Sequence, residues 1–232
     1  MSEPINAGPS ESPEQTTWGV GPWQGEWPAD AGTPDEPNPD SLLDPELLLN
    51  GDTRNVLDQF RYWKMEAIIA SLDQRRHKYH VAIENWQHDL NIGSIVRTAN
   101  AFLAAEVHII GNRRWNRRGA MVTDRYQHVR HHPTVEEFVE WCKTAGEDGS
   151  ALPIIAIDNV PGCKKIEEYP LPENCVLLFG QEGPGLSEAA IESAEVVLEI
   201  SQFGSTRSIN ASAAAAITMH QWVMQHVFGH KL

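Results

Sequence analysis

No stretch of about 18 consecutive apolar residues occurs in the sequence, so no segment has the length and apolarity of a membrane-spanning helix. The opening stretch also lacks the basic start and apolar core of a secretory leader; it is acidic and proline-rich, and a soluble, cytoplasmic protein with no membrane partner is expected. Cysteine is scarce. Cys142, Cys163 and Cys175 are odd in number and widely spaced, which fits neither a disulfide framework nor a zinc knuckle and leaves reduced, structural thiols. No internal repeat is visible. Basic residues are missing from positions 1–50, which hold ten acids and no Lys or Arg. That absence changes the meaning of the net charge of −14, because 22 acids and 18 bases remain in residues 51–232 and the body of the chain is close to neutral. A polyanionic partner is therefore not excluded by overall charge.

Residues 1–40 are rich in Pro, Gly, Ser, Asp and Glu without periodic apolar positions, and are expected to be a disordered acidic tail. The tail carries Trp18, Trp23 and Trp27, which read either as a docking motif for a protein partner or as aromatics in a solvated segment. Residues 41–79 are expected to form a helical extension. From Asn55 to about His77 the apolar residues Val56, Leu57, Phe60, Trp63, Ala67, Ile68 and Leu72 recur at helical steps. Residues 80–232 then alternate short β-rich runs (80–85, 106–111, 153–158, 175–180 and 196–200) with helical or loop segments, which predicts a mostly parallel sheet flanked by helices. The last element, about 208–227, contains the alanine run 213–216 and is strongly helical.

Three motifs lie on this framework. Asn91-Ile92-Gly93-Ser94-Ile95-Val96-Arg97-Thr98-Ala99 is a loop entering a helix, with Asn91 at the entrance, where a polar side chain caps or binds. Arg97 taken alone reads as a surface residue or an ion-pair partner. The run Leu178-Phe179-Gly180-Gln181-Glu182-Gly183-Pro184-Gly185-Leu186-Ser187 carries an apolar strand into a loop with three glycines, at the strand end where an open α/β sheet holds its ligand. It is neither a dinucleotide fingerprint nor a phosphate loop. Ile200-Ser201-Gln202-Phe203-Gly204-Ser205-Thr206-Arg207-Ser208-Ile209-Asn210-Ala211-Ser212 joins the last strand to the terminal helix, and Ser208, Asn210 and Ser212 supply hydrogen-bonding groups where that helix has unpaired amides.

In order and spacing these motifs resemble those of the SpoU branch of the SPOUT superfamily, the ribose 2′-O-methyltransferases of transfer and ribosomal RNA, over roughly Val81 to Val227. Ser201 and Gln202 stand where that family usually has Pro and Met, and Leu103 stands where it usually has Gly. The resemblance implies an α/β domain with a deep C-terminal trefoil knot, S-adenosylmethionine as methyl donor without a metal, and a homodimer to which the terminal helix with Trp222 contributes. It implies catalytic roles for Asn91, Arg97, Ser208 and Asn210, and cofactor contacts from Gly180, Ile200 and Ile209. Glu182 matches an acidic family position, read either as a carboxylate that holds the loop or as a substrate contact.

Between two of the expected elements lies NRRWNRRGAMVTDRYQHVRHH, residues 112–132, where Arg113, Arg114, Arg117, Arg118, Arg125 and Arg130 stand against a single acid, Asp124. Interleaved Trp115 and Tyr126 make this an RNA-binding candidate, since arginine contacts phosphate and aromatics stack on unpaired bases; a solvated charge run is the other reading. His128, His131 and His132 in the same segment have no metal-ligand pattern. An RNA methyltransferase acting on transfer RNA in preference to ribosomal RNA is the expected function; a non-catalytic RNA-binding protein on the same fold is the alternative.

Overall fold

The structure, a computed structural model, describes residues 19–86 and 91–230, which fall into two compact units, Met1–Ile68 and Ile69–Leu232. The first unit holds α1 (Pro45–Asn50), capped by Asp44, whose carboxylate accepts from the amides of Glu46 and Leu47. The helix α2 (Met65–Asp73) begins in this unit and ends in the second. Residues 19–40 differ from the expected disordered tail: Val20 bridges Asp52, Ala31 is fully buried, and the indole N–H groups of Trp23 and Trp27 donate to the carbonyls of Glu26 and Gly32. Turns closed by local hydrogen bonds replace the periodic apolar face that a sequence search looks for. Residues 1–18, including Trp18, lie outside the described residues.

The expected helix from Asn55 to His77 is also corrected. Its span contains a single 3-10 turn (Asp58–Phe60), a break, and α2. The break has a local cause: the fully buried Asp52 carboxylate accepts from the amides of Arg54 and Tyr62 and from the Arg54 guanidinium, and Tyr62 takes a positive φ of 61°. Side chain to backbone bonds of this kind compete with the helical ladder.

The second unit is built on seven strands: β1 (His80–Asn85), β2 (Val107–Gly111), β3 (Val129–His132), β4 (Ile154–Ile157), β5 (Lys164–Lys165), β6 (Val176–Phe179) and β7 (Val196–Glu199). They form one sheet in the order β3-β2-β1-β6-β4-β7-β5, and every pairing is parallel. Flanking helices are α3 (Asn91–Ala101), α4 (Val135–Cys142), α5 (Glu188–Ser193) and α6 (Ala211–His226). Because helices cover both faces, the central strands are buried on both sides and read as nearly continuous Val, Ile, Leu and Phe. Val81, Ile83, Ile109, Leu177 and Phe179 pack with residues of α3 and α6, while Ala82, Ile110, Ala156 and Leu178 form the opposite layer with α4 and α5.

Trp222, expected at a dimer contact, is instead inside its own chain: it is 2% exposed, lies 4.5 Å from the Tyr79 ring and donates to the Pro172 carbonyl. Leu103 occupies the family's glycine position with φ of 52°, and the amides of Leu103 and Ala104 close α3 onto the carbonyls of Asn100 and Ala99. That is the helix-ending turn for which glycine is favoured; Leu adopts it at a cost of about 1–2 kcal/mol.

On the α4 side three imidazoles form a chain across adjacent strands. His80 Nδ1 lies 3.1 Å from His108 Nε2, and His108 Nδ1 lies 3.0 Å from His132 Nε2. Burial first, and then the Arg130 charge, hold His80 and His132 down to about 4; burial, the neighbouring imidazoles and Arg130 push His108 well below the usual range. Each ring is therefore neutral, with one donor and one acceptor, which suits an end-to-end chain. Glu106 beside it is held by Arg130 Nε at 3.1 and 3.2 Å. Burial raises the thiols of Cys142 and Cys175 to about 12, which keeps both protonated and poorly nucleophilic.

Candidate active site

The three motifs, distant in sequence, meet at the carboxyl edge of the sheet. Asn91 opens α3, Glu182 lies in the loop after β6, and Asn210 caps α6 through Oδ1, which accepts from the amides of Ser212 and Ala213. Asn91 Nδ2 donates to Glu182 Oε2 at 2.7 Å; Asn210 Nδ2 donates to Asn91 Oδ1 at 2.9 Å and to Glu182 Oε2 at 3.3 Å. One carboxylate thus holds two amides, and each amide keeps a fixed orientation.

Beside this junction lies an open cavity of about 440 Å³. Ile157 and Phe179 line it from the sheet, the segment 180–186 forms one wall, and Ile200 with residues 208–211 forms another. The glycine wall owes its shape to close backbone approach. A Cβ on Gly180 would fall 2.3 Å from the Gly185 carbonyl carbon, and the amides of Gln181 and Gly185 exchange bonds at 3.2 and 3.1 Å across the turn. Gly185 has φ of 72°, and its missing Cβ leaves room for Asp158 Oδ2, which accepts from the Leu186 amide at 2.9 Å.

The sequence-derived candidates divide clearly. Gly180, Glu182, Ile200, Ser208, Ile209 and Asn210 line the cavity, and Asn91 joins it through Glu182 and Asn210. Arg97 does not line it: it is exposed on α3, six residues and about 9 Å of helix rise beyond Asn91, and pairs with no acid among the described residues. Arg113, Arg114, Arg117, Arg118, Arg125 and Arg130 are all exposed. Arg117 lies over Trp115 and reaches Asp124 at 3.5 Å, whereas Arg130 is committed to Glu106 and the Trp141 ring.

Sequence reasoning passed over several residues that build the site. Asp158 closes the run PIIAID and clamps the glycine loop, and Asn159 Nδ2 donates to the Arg207 carbonyl. Glu84, fully buried, accepts from the Ser187 amide and hydroxyl, each at 2.7 Å. An acid at or near the end of an apolar strand was the available signal. The departure at Ser201 also has a partner: its amide and hydroxyl donate to Glu167 at 3.0 and 3.1 Å, bonds that need both the N–H and the O–H that proline lacks.

A family model described as the SpoU rRNA Methylase family matches residues 78–220, which contain all three motifs. A tRNA (guanosine(18)-2'-O)-methyltransferase of Escherichia coli (strain K12) is 29% identical over 160 residues, covering 66% of this chain and 66% of that protein. The chain thus spans about two thirds of that relative's length, just short of the full fraction. Among solved structures, the TrmH/SpoU tRNA modifying enzyme of A. aeolicus aligns with a TM-score of 0.61 at 20% identity, over 71% of this chain and 83% of that one. The SpoU methyltransferase AviRb from Streptomyces viridochromogenes, in complex with AdoMet, aligns with a TM-score of 0.60 at 23% identity, over 67% and 60% of the two chains. These likenesses carry the fold, and the family match carries the membership: the chain belongs to the SpoU rRNA Methylase family.

Proposed function

We propose that this protein is an S-adenosylmethionine-dependent RNA methyltransferase that modifies a ribose 2′-hydroxyl, with transfer RNA favoured over ribosomal RNA as substrate. The observation that carries the proposal is the convergence of Asn91, Glu182 and Asn210 at the rim of the 440 Å³ cavity. The volume lies within the range of small-molecule sites, about 300–1,000 Å³. Its apolar lining from Phe179, Ile200 and Ile209 suits an aromatic heterocycle, and a wall of glycines lets the backbone approach such a ring closely. When bound, S-adenosylmethionine supplies an electrophilic methyl group on a sulfonium, and no metal is needed.

For the chain's own residues the reading assigns Gly180, Ile200 and Ile209 to the cofactor. Asn91, Ser208 and Asn210 align the reacting groups, and the two bonds that Glu182 accepts support a role in holding the asparagines. A ribose hydroxyl is a poor nucleophile while it keeps its proton, so orientation and stabilisation of a developing alkoxide are what the site must provide. Arg97, exposed on the same helix as Asn91, positions the nucleotide and favours that negative charge; its always-charged guanidinium suits the role. Arg113, Arg114, Arg117, Arg118 and Arg125 contact RNA phosphates, and Arg130 would join them only by exchanging its Glu106 pairing for a phosphate.

The catalytic domain is assigned to the region from residue 80 onward, with the family's trefoil knot at its C-terminal part and a cytoplasmic location. A homodimer is proposed, with the outward Ile217, Val227 and Phe228 at the contact, since all three are large, apolar and exposed. Trp23 and Trp27, 41% and 38% exposed, support a protein-docking role for the N-terminal segment. Calorimetry with S-adenosylmethionine, followed by transfer of a labelled methyl group to transfer RNA and ribosomal RNA transcripts and mapping of the 2′-O-methyl nucleotide, tests the assignment. Cofactor binding without transfer to any RNA would leave the non-catalytic alternative; no binding of S-adenosylmethionine would end the proposal.

A further inference from the structure

Trp86 follows β1 directly and is 41% exposed, yet its polar groups are all engaged. Its amide donates to Gln181 Oε1 at 2.8 Å, its carbonyl accepts from Asn112 Nδ2 at 2.7 Å, and its indole N–H donates to Glu84 Oε1 at 2.9 Å. Glu84 is itself fully buried and tied to Ser187, so the anchor does not move with solvent. One part of the ring rests on Gly111, where a Cβ would fall 2.7 and 2.8 Å from Cε3 and Cζ3; only glycine admits the indole there. A large apolar surface has been left open and its orientation fixed.

The neighbours identify what would cover it. Gln181 lines the cavity, and Asn112 begins the basic segment, where Asn85 Nδ2 holds the carbonyls of Asn112 and Arg114 at 2.6 and 2.9 Å. The backbone that carries the indole is therefore bonded through its amide to the cavity wall and through its carbonyl to the start of the arginine-rich chain, while the ring itself is held by Glu84. We propose that Trp86 is a stacking platform for an unpaired RNA base adjoining the nucleotide that enters the site. This rests on the RNA-methyltransferase reading and adds to it a substrate contact outside the three motifs. An aromatic ring with its rotamer already fixed stacks on a base with little further loss of side-chain entropy, and stacking is sequence-tolerant because every base has a π face.

The test uses the full chain with Trp86→Ala, Trp86→Leu and Trp86→Phe. Fluorescence anisotropy with a labelled transfer RNA transcript reads RNA affinity, calorimetry reads S-adenosylmethionine affinity, and thermal melts control for folding. Trp86→Ala is expected to weaken RNA binding by about 5- to 150-fold, the equivalent of ~1–3 kcal/mol per stacked base, with cofactor affinity unchanged. Phe and Leu both lack the indole N–H, so recovery of most of the RNA affinity by Phe but not by Leu isolates the π face and survives any loss of the Glu84 bond. RNA affinity within about twofold of wild type in Trp86→Leu, equal losses in Leu and Phe, or a fall in cofactor affinity that accounts for the whole effect would each overturn the proposal, as would loss of a protein partner with RNA binding intact. Wild-type protein that binds RNA through Trp86 but transfers no methyl group would sink the enzymatic reading alone; normal transfer with a Trp86-independent RNA affinity would sink this one alone.

Discussion

Replacing Gly180 with Ala probes the cavity wall most directly. The added Cβ would lie 2.3 Å from the Gly185 carbonyl carbon, 2.4 Å from the Leu186 nitrogen and 2.6 Å from the Gly185 oxygen, all backbone atoms that cannot rotate away. Ordinary carbon–carbon contact is about 3.5–4.0 Å, so the returning limb of the loop must withdraw by roughly 1 Å. The two bonds between Gln181 and Gly185, at 3.2 and 3.1 Å, would then open beyond hydrogen-bonding distance. Two backbone bonds at ~0.5–1.5 kcal/mol each give a loss of ~1–3 kcal/mol, which appears as about 5- to 150-fold weaker S-adenosylmethionine binding if the loop reforms on the ligand. Calorimetry reads the affinity and a thermal melt reports the fold. Gly204→Ala serves as the control, because nothing lies within 4 Å of its added Cβ. Cofactor affinity within twofold of wild type in folded Gly180→Ala would refute the reasoning that this close approach shapes the binding wall.

Arg97→Lys keeps the charge but loses the planar fork, and both it and Arg97→Ala are expected to lower single-turnover transfer by at least about 100-fold, ~2.7 kcal/mol, with cofactor affinity preserved; near-normal transfer in both would remove Arg97 from the mechanism. Reversal of Arg113, Arg114, Arg117 and Arg118 to Glu is expected to reduce the salt dependence of RNA binding by about 0.7 in log–log slope for each phosphate that is no longer neutralised, and an unchanged slope would mean that these arginines face only solvent. Stability is expected to be complete above pH ~6.5 and to fall as pH drops toward 4, by up to about 3 kcal/mol for each histidine held near 4, because the unfolded histidines take up protons that folded His80, His108 and His132 refuse. Urea midpoints at pH 7.5, 6 and 5 check the sign, and a flat profile would contradict the buried neutral chain.

The strands β1, β2, β4, β6 and β7 were legible in the sequence because each lies between two helical layers and is apolar along most of its length. The terminal helix was legible from its alanine run, and the three motifs from residue type and spacing. β3 was not, since Val129-Arg130-His131-His132 has no apolar pattern; its strand form comes from pairing with β2 and from the His108 to His132 contact. The apolar spacing between Asn55 and His77 suggested a helix that the buried Asp52 interrupts, and residues 19–40 gain their turns from bonds that composition does not reveal. In the site, Gly180 and Gly185 could be picked out as glycines, but the atoms that would collide with a Cβ there could not. The bonds from Asn91 to Glu182 and from Asn210 to Asn91 span 91 and 119 residues. Local preference acts over a few residues along the chain, so it can place an asparagine at a helix entrance; only the parallel sheet, which brings the ends of β1, β6 and β7 to one edge, can make three such positions neighbours.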